Sequence, residues 1–200
     1  MLRLAVFASG RGSNLRAIID AIRLGTLKGI EPVLVISNNS SSEALEIARS
    51  SGIDAIHYSL VSAGGDEANY GQGMLALLQS HNVDLIALAG YMKKIPQPVI
   101  EAYRAKIVNV HPALLPDFGG EGMFGIHVHK AVIGSGKKVS GATVHFVEEE
   151  YDTGAIVLQA ECAIDKNETP ESLARKVLSL EHDLYPRALQ LIAQRLEHQS

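Results

Sequence analysis

This 200-residue chain has one cysteine, no excess of basic over acidic residues and no long apolar run. Each of these features excludes a class of protein. Its single cysteine, Cys162, excludes an internal disulfide and a cysteine-only metal cage, and fits a reducing compartment. With 18 basic and 22 acidic residues, the net charge of -4 argues against general binding to nucleic acid. No apolar stretch approaches membrane-spanning length, and no leader-type segment follows Met1. We therefore expect a cytoplasmic protein with no membrane or nucleic-acid partner.

Short apolar runs alternate with helical patterns in residues 1–115, as expected when helices cover both faces of a parallel sheet. The length, with 46% apolar and 20% charged residues, fits one folded domain over residues 1–200. Strands are predicted at Leu4–Ala8, Val33–Ile36, Ala55–Tyr58, Leu85–Ala89 and Ile107–Val110, and helices at Leu15–Ile22, Ser42–Ser51 and Asp66–Ser80. This order predicts an α/β fold with a Rossmann-like, doubly wound and mostly parallel sheet.

The chain changes character after Pro112, because residues 117–125 contain four glycines and little that could pack. We interpret them as a mobile loop that could serve as a lid. Further elements are predicted as a helix at His127–Ile133, strands at Val139–Val147 and Ala155–Glu161, and a last helix from Thr169 and Pro170. Pro186 should kink this last helix or split it in two.

A glycine turn, Ser9-Gly10-Arg11-Gly12-Ser13-Asn14, lies between the first predicted strand and the first predicted helix. A helix start offers unpaired N–H groups and the positive end of a dipole, which favour an anion such as phosphate. The dinucleotide-binding fingerprint is incomplete because Leu15 occupies its third glycine position, and no Walker lysine follows. A turn that merely connects strand to helix is the alternative.

Asn109 and His111 lie two residues apart where a predicted strand ends at Pro112. Residues at this spacing point to the same face, and open α/β sheets bind ligands at the carboxyl ends of their strands. An amide beside an imidazole can stabilise charge developing on a carbonyl oxygen, and the imidazole can also move a proton. A polar strand end with a hydrogen-bonded histidine is the alternative.

The acidic segment Glu148–Gly154 connects the last two predicted strands and has the composition of a solvated turn. The functional alternative is that Asp152 folds back beside His111 and keeps the imidazole protonated.

Four histidines, His111, His127, His129 and His145, are close enough in the sequence to raise the question of a metal site. His127 and His129 fall on a predicted helix, where residues two apart diverge, and His145 could equally be a packed histidine. We therefore expect no metal.

Five segments together resemble the phosphoribosylglycinamide formyltransferase family of folate-dependent enzymes. They are ASGRGSNL, AGYMKKI, NVHPALLP, GATVHFVEEEYDTGAIVLQ and LEHDLYP, and they span nearly the full length. NVHPALLP followed by the HFV and D-x-G segment is specific to folate formyltransferases, and GRGSN narrows the resemblance to the nucleotide-using member. The resemblance implies the formyltransferase fold, in which an antiparallel C-terminal part completes the mostly parallel sheet.

The resemblance also implies transfer of the formyl group of 10-formyltetrahydrofolate to the amine of glycinamide ribonucleotide in de novo purine biosynthesis. Carried over by position, the catalytic residues are Asn109, His111 and Asp152. The residues that bind the nucleotide are Gly12, Ser13, Asn14 and Glu181. The folate-binding residues are Met92, Lys93, Lys94, Ile95, Asn109, Glu148, Glu149, Glu150, Tyr151 and Asp152. Residues 1–115 would form the nucleotide-binding half of the domain, and residues 116–200 the half that binds folate and completes the catalytic site. The protein would be a monomer or a homodimer.

The chain departs from the family pattern at two places. DFGGEGMFGIHVH is longer than the family's F-P-G-L-H-x-H, so the glycine-rich loop should move differently. Residues 62–69 lack the basic residue that many relatives place near the folate tail.

Three other functions are alternatives to this one. A formyltetrahydrofolate hydrolase would use water as acceptor, but that family carries an additional N-terminal domain, whereas this chain begins at the glycine turn. Methionyl-tRNA formyltransferase shares the LLP region, but it needs a C-terminal nucleic-acid domain and a basic surface, which we do not expect in 200 residues with a net charge of -4. A nucleotide-binding module without catalysis would retain only the glycine turn.

Overall fold

Residues 1–197, which the computed structural model describes, form seven strands and six helices in one α/β arrangement. The strands are β1 (Leu2–Phe7), β2 (Ile30–Ser37), β3 (Asp54–His57), β4 (Leu85–Leu88), β5 (Ile107–His111), β6 (Val139–Phe146) and β7 (Ile156–Ala163). The helices are α1 (Ser13–Arg23), α2 (Glu43–Ser50), α3 (Glu67–Ser80), α4 (Gln97–Ala102), α5 (Ile126–Gly134) and α6 (Pro170–Glu197). None of these helices is long and apolar enough to cross a membrane.

The strands form a single sheet in the order β3-β2-β1-β4-β5-β6-β7. The first five strands are parallel, whereas β6 runs antiparallel to β5 and β7 antiparallel to β6. This topology confirms the predicted Rossmann-like, mostly parallel sheet with an antiparallel C-terminal part.

Two apolar layers cover the sheet, which explains why its central strands are apolar on both faces. Val6 of β1 faces one cluster, into which α1, α2, α5 and α6 pack. Its neighbour Phe7 faces the opposite cluster, which α3 and α4 cover. Alternation along the strand therefore sends successive side chains into separate layers.

Helix α6 runs from Pro170 to Glu197 and continues through Pro186, so of the two predicted outcomes, a kink or a split, the split is wrong. A proline inside a helix removes one backbone hydrogen bond, but packing can outweigh that loss. Leu184, Tyr185 and Leu189 around the proline are all fully or almost fully buried. The Tyr185 hydroxyl also lies 3.0 Å from the Leu88 carbonyl oxygen and 3.1 Å from that of Val108, where it can donate to either.

Helix α4 is absent from the sequence predictions. Its six residues are too few to show a helical period, and Pro96 and Pro98 favour a turn instead. The segment 117–125 contains no helix or strand, as predicted.

The sheet order reverses at β1, since β2 lies on one side of it and β4 on the other. Open α/β sheets bind ligands at such a reversal, outside the carboxyl ends of the strands. The glycine turn follows β1, and Asn109 and His111 lie at the same edge on β5. The topology therefore brings the two predicted sites to one place.

Candidate active site

The glycine turn leads directly into α1 and leaves the start of that helix uncapped. Gly12 has a φ of +68°, and a Cβ at this position would lie 2.9 Å from the Cα and Cβ of Ala44. No side chain caps the helix, and its first turn contains no acidic residue. The first N–H groups of α1, beginning at Ser13, are therefore available to an anion.

Asn14 and Glu181 meet beside this turn, although they are 167 residues apart in the sequence. The Asn14 amide nitrogen donates to a Glu181 carboxyl oxygen over 2.7 Å. Asn14 is only 6% exposed, and its buried Oδ1 has no hydrogen-bond partner among the described residues. Burial raises the pKa of Glu181 to about 7, although the Asn14 hydrogen bond acts in the opposite direction. These acceptors suit a ligand with hydroxyl donors.

A cleft of about 750 Å³, here called the main cleft, joins the glycine turn to the tip of β5. Its lining includes Gly10–Asn14, Asn109–Pro112, Gly120–Ile126, Asp152 and Glu181. Residues from the start, middle and end of the chain therefore share one cavity.

Asp152 lies against His111 inside the main cleft. One carboxylate oxygen is 3.5 Å from His111 Nδ1 and accepts the Gly120 N–H over 2.9 Å. His111 Nε2 donates to the Phe118 carbonyl oxygen over 2.8 Å, so it carries a proton in this arrangement. The glycine-rich loop thus contacts both members of the His111–Asp152 pair.

The pKa values of both members of this pair are shifted from their ordinary values. Burial lowers the pKa of His111, and this outweighs the opposing effect of the Asp152 carboxylate. Burial thus opposes the predicted protonation of His111 by Asp152, because desolvation penalises the imidazolium. Burial acts to raise the pKa of Asp152, but the contacts with His145, His111 and the Gly120 N–H together lower it.

His145 is a member of the site that the sequence did not identify. On β6 it pairs in register with Asn109, and its Nε2 lies 3.1 Å from the Asn109 amide nitrogen and 3.3 Å from Asp152 Oδ1. Its Nδ1 donates to the Phe146 carbonyl oxygen over 2.8 Å. The available signal was the alternation of Thr143 and His145 on a mostly apolar strand, but the register that places them beside β5 is not encoded in that pattern.

A small cleft of about 80 Å³ adjoins the main cleft on the side of β4. Its lining includes Lys93, Lys94, Ile95, Asn109, His145 and Glu148–Asp152. Lys93, Asn109, Tyr151 and Asp152 line both clefts, so the two cavities meet beside Asn109 and Asp152. The Lys94 ammonium lies 5.8 Å from the centre of the Tyr151 ring, which is a cation–π contact between the two walls of the small cleft.

Comparison with known proteins identifies the family. The family model for formyl transferases matches residues 2–189 of the chain. The chain belongs to the formyl transferase family. The resemblance inferred from the sequence is thereby confirmed at the family level.

Individual relatives agree with this assignment. The chain is 44% identical over 183 residues to the chloroplastic phosphoribosylglycinamide formyltransferase of Arabidopsis thaliana, covering 92% of this chain and 62% of that protein. Among solved structures, glycinamide ribonucleotide transformylase 1 from Symbiobacterium toebii matches with a TM-score of 0.89 and 37% sequence identity. The match covers 97% of this chain and 88% of that one. For the Geobacillus kaustophilus transformylase 1 structure, the identity is 35%, the TM-score 0.89 and the coverage 96% and 99%. This formyl transferase spans about three fifths of the length of the Arabidopsis relative.

The sequence-based assignments fall into the two clefts of this formyl transferase. The residues assigned to the nucleotide, Gly12, Ser13, Asn14 and Glu181, all line the main cleft. Of those assigned to folate, Met92 lines the main cleft, whereas Lys94, Ile95, Glu148, Glu149 and Glu150 line the small cleft. Residues on both sides of position 115 line each cleft, so neither predicted half forms a cleft by itself.

The remaining histidines do not gather around a metal position. His127 is exposed on α5, while His129, two residues later, is buried and lines the main cleft. Within residues 1–197, no three histidine, cysteine, aspartate or glutamate side chains are arranged to hold a metal ion.

Proposed function

We propose that this protein transfers the formyl group of 10-formyltetrahydrofolate to the primary amine of glycinamide ribonucleotide, a step of de novo purine biosynthesis. The observation that carries the proposal is the main cleft, which joins an uncapped helix start, two buried hydrogen-bond acceptors and the Asn109–His111–Asp152 group. A sugar phosphate needs the first two features, and formyl transfer needs the third. Relatives named for this activity support the same conclusion.

The nucleotide would lie along the main cleft with its phosphate at the glycine turn. The N–H groups at the start of α1 donate to the phosphate oxygens, and the helix dipole favours their negative charge. The ribose hydroxyls then donate to the Glu181 carboxyl group and to Asn14 Oδ1, which is unpartnered within the described chain. This placement directs the glycinamide amine toward the tip of β5.

The folate would enter from the small cleft, where Lys93–Ile95 and Glu148–Asp152 form opposite walls. Both clefts meet at Asn109 and Asp152, so a formyl group carried by the folate would arrive where the amine arrives. Holding two reactants in this geometry removes much of the entropic cost of a bimolecular reaction.

Asn109 and His111 would stabilise the intermediate. Attack of the amine on the formyl carbon forms a carbon–nitrogen bond and leaves negative charge on the formyl oxygen. The Asn109 amide has two N–H donors, of which one faces His145 and the other remains for this oxygen. His111 becomes a stronger donor when it takes up a second proton at Nδ1 as the oxyanion forms, because the negative charge offsets the desolvation that disfavours imidazolium, and it releases this proton when the oxyanion collapses.

Asp152 would manage the proton. Its lowered pKa keeps the carboxylate charged at neutral pH, where it stabilises positive charge on the attacking nitrogen and on His111. The proton lost by that nitrogen passes through an ordered water to the folate N10, whose bond to the formyl carbon breaks. The products are formylglycinamide ribonucleotide and tetrahydrofolate, and no net proton is consumed.

The test mixes the purified protein with glycinamide ribonucleotide and 10-formyltetrahydrofolate and follows folate deformylation with and without the nucleotide. The proposal expects turnover that requires the nucleotide, together with formylated nucleotide as product. Turnover without nucleotide would instead identify a hydrolase, and absence of turnover with retained binding would identify a module without catalysis.

Four wider expectations accompany this proposal: one formyltransferase domain over residues 1–200, a cytoplasmic location, no metal requirement, and a monomeric or homodimeric state. The Arabidopsis relative is named as chloroplastic, so location can differ between relatives. Fractionation of the native cell and light scattering of the pure protein would test the second and fourth expectations.

A further inference from the structure

Arg11 is a cation built into the glycine turn. It lies between Gly10 and Gly12, is exposed, and lines the main cleft. Within residues 1–197 its guanidinium has no hydrogen-bond or ion-pair partner, whereas Arg3, Arg23, Arg49 and Arg187 each pair with a carboxylate. Its charge is therefore available to a ligand.

The main cleft needs positive charge if it is to hold a phosphate dianion. Three acidic residues, Glu121, Asp152 and Glu181, contribute to its lining. The cations in the lining with a permanent charge are Arg11 and Lys93. The partial charge of a helix start, about half an elementary charge, is not enough to balance a dianion.

Position distinguishes these two cations. Lys93 also lines the small cleft, so it lies toward the end of the main cleft where the two cavities meet. Helix α6 contributes Ala174 and Leu178 to the lining, and neither can neutralise an anion. Arg11, in the turn itself, is thus the cation adjacent to the uncapped start of α1.

A second observation points to a ligand at this turn. Asn14 lies in the first turn of α1, lines the main cleft and is only 6% exposed. Its Oδ1 nevertheless has no hydrogen-bond partner among the described residues. A buried acceptor without a partner is costly unless a bound group satisfies it.

The other side of the turn opens into a third cavity of about 700 Å³, here called the outer cleft. Arg11 and Ser13 line both the main and the outer cleft, while Arg16 lines the outer cleft and is absent from the main-cleft lining. A long side chain at this boundary can reach over the turn without entering the space that the sugar needs. Arg16, in α1 just after the turn, provides a control with the same charge.

We propose that Arg11 is the residue that selects the phosphorylated form of the substrate, by pairing its guanidinium with the phosphate held at the start of α1. The planar guanidinium donates two parallel hydrogen bonds to phosphate oxygens, and its charge completes what the helix dipole supplies in part. The inference rests on the proposed function, because it assigns the phosphate of that substrate to this turn.

The test compares Arg11→Gln and Arg16→Gln with the unaltered protein in steady-state transfer assays and in calorimetric binding of ribose 5-phosphate. Loss of a charge-assisted contact predicts a rise of about tenfold to a hundredfold in the nucleotide KM and in the ribose 5-phosphate Kd for Arg11→Gln. The kcat and the folate KM should stay within about twofold, since the contact exists in both ground and transition states. Arg16→Gln should change none of these constants more than about twofold, and Arg11→Lys should lie between.

Unchanged ribose 5-phosphate affinity in Arg11→Gln would overturn the proposal, as would an equal loss in Arg16→Gln, which would indicate only general attraction of anions. The binding arm separates this inference from the proposed function. If the unaltered protein shows no formyl transfer but binds ribose 5-phosphate in an Arg11-dependent manner, the function fails and the Arg11 assignment stands.

Discussion

Asp152 is the residue on which most contacts of the site converge. Its carboxylate touches His111, His145 and the backbone N–H of Gly120, from three separate parts of the chain. The residue has a φ of +58°, a backbone conformation that is uncommon outside glycine and that the turn imposes. Its effect on catalysis should therefore come from charge and position together.

Asp152→Asn tests the charge, because it keeps the size of the side chain and removes its charge. We expect kcat to fall on the order of a hundredfold or more, since an amide cannot stabilise positive charge on the attacking nitrogen. The control is Asp54→Asn, which alters a similar pair, 3.3 Å from His81, on the distant strand β3. Comparable kcat values in the two folded variants would contradict the role given to Asp152.

Glu181 should make folding stability depend on pH. Burial raises its pKa from 4.5 to about 7, so the folded protein holds this proton more tightly than the unfolded chain. The resulting stabilisation is fully present below pH 4.5 and is lost as the pH rises through 7, with a size on the order of 3 kcal/mol.

Glu181→Gln removes this titration while leaving an oxygen to accept from Asn14. Relative to the unaltered protein, the variant should gain stability between pH 5 and pH 8, measured by urea unfolding at each pH. A stability difference that is constant across this range would show that Glu181 does not titrate there.

At the scale of elements, the glycine turn requires a glycine at Gly12 more strictly than at Gly10. Gly12 adopts φ +68° and lies close to Ala44 of α2, whereas a Cβ on Gly10 would meet nothing within 4 Å. The two glycines of one turn therefore carry different constraints.

Gly12→Ala should lower the free energy of unfolding by about 1–3 kcal/mol, through left-handed backbone strain and contact with α2. Gly10→Ala should change it by less than about 0.5 kcal/mol, because neither effect applies there. Thermal or urea unfolding of the two variants measures the difference. Equal stability of the two would mean that the turn is not held in this conformation.

The same scale shows where sequence patterns succeed. The strands β1, β4 and β5 were recognisable as short continuous apolar runs, and α1 by an apolar stripe that repeats with the helical period. Helix α4 was missed because one and a half turns between prolines carry no period. The expected split of α6 at Pro186 was wrong because local propensity ignores the packing that holds α6 against the sheet.

At the scale of the whole molecule, charge should separate this protein from nucleic-acid binders. The net charge is -4, and the proposed anion site is confined to one turn. We expect no gel shift with tRNA and no retention on heparin at 0.15 M salt, because backbone binding needs many phosphate contacts. A shift that weakens steeply with added salt would contradict this expectation and reopen the tRNA-formyltransferase alternative.

The sequence by itself determined the alternation of strands and helices, the glycine turn at the start of α1, and the placing of Asn109 and His111 on one face of β5. These follow from local periods of 2 and 3.6 residues and from the conformational freedom of glycine. Only the tertiary structure decided that Asn14 meets Glu181, that His145 lies beside Asn109, and that burial outweighs Asp152 in lowering the pKa of His111. Register, desolvation and long-range contacts depend on what packs against a residue, and no local pattern specifies its distant neighbours.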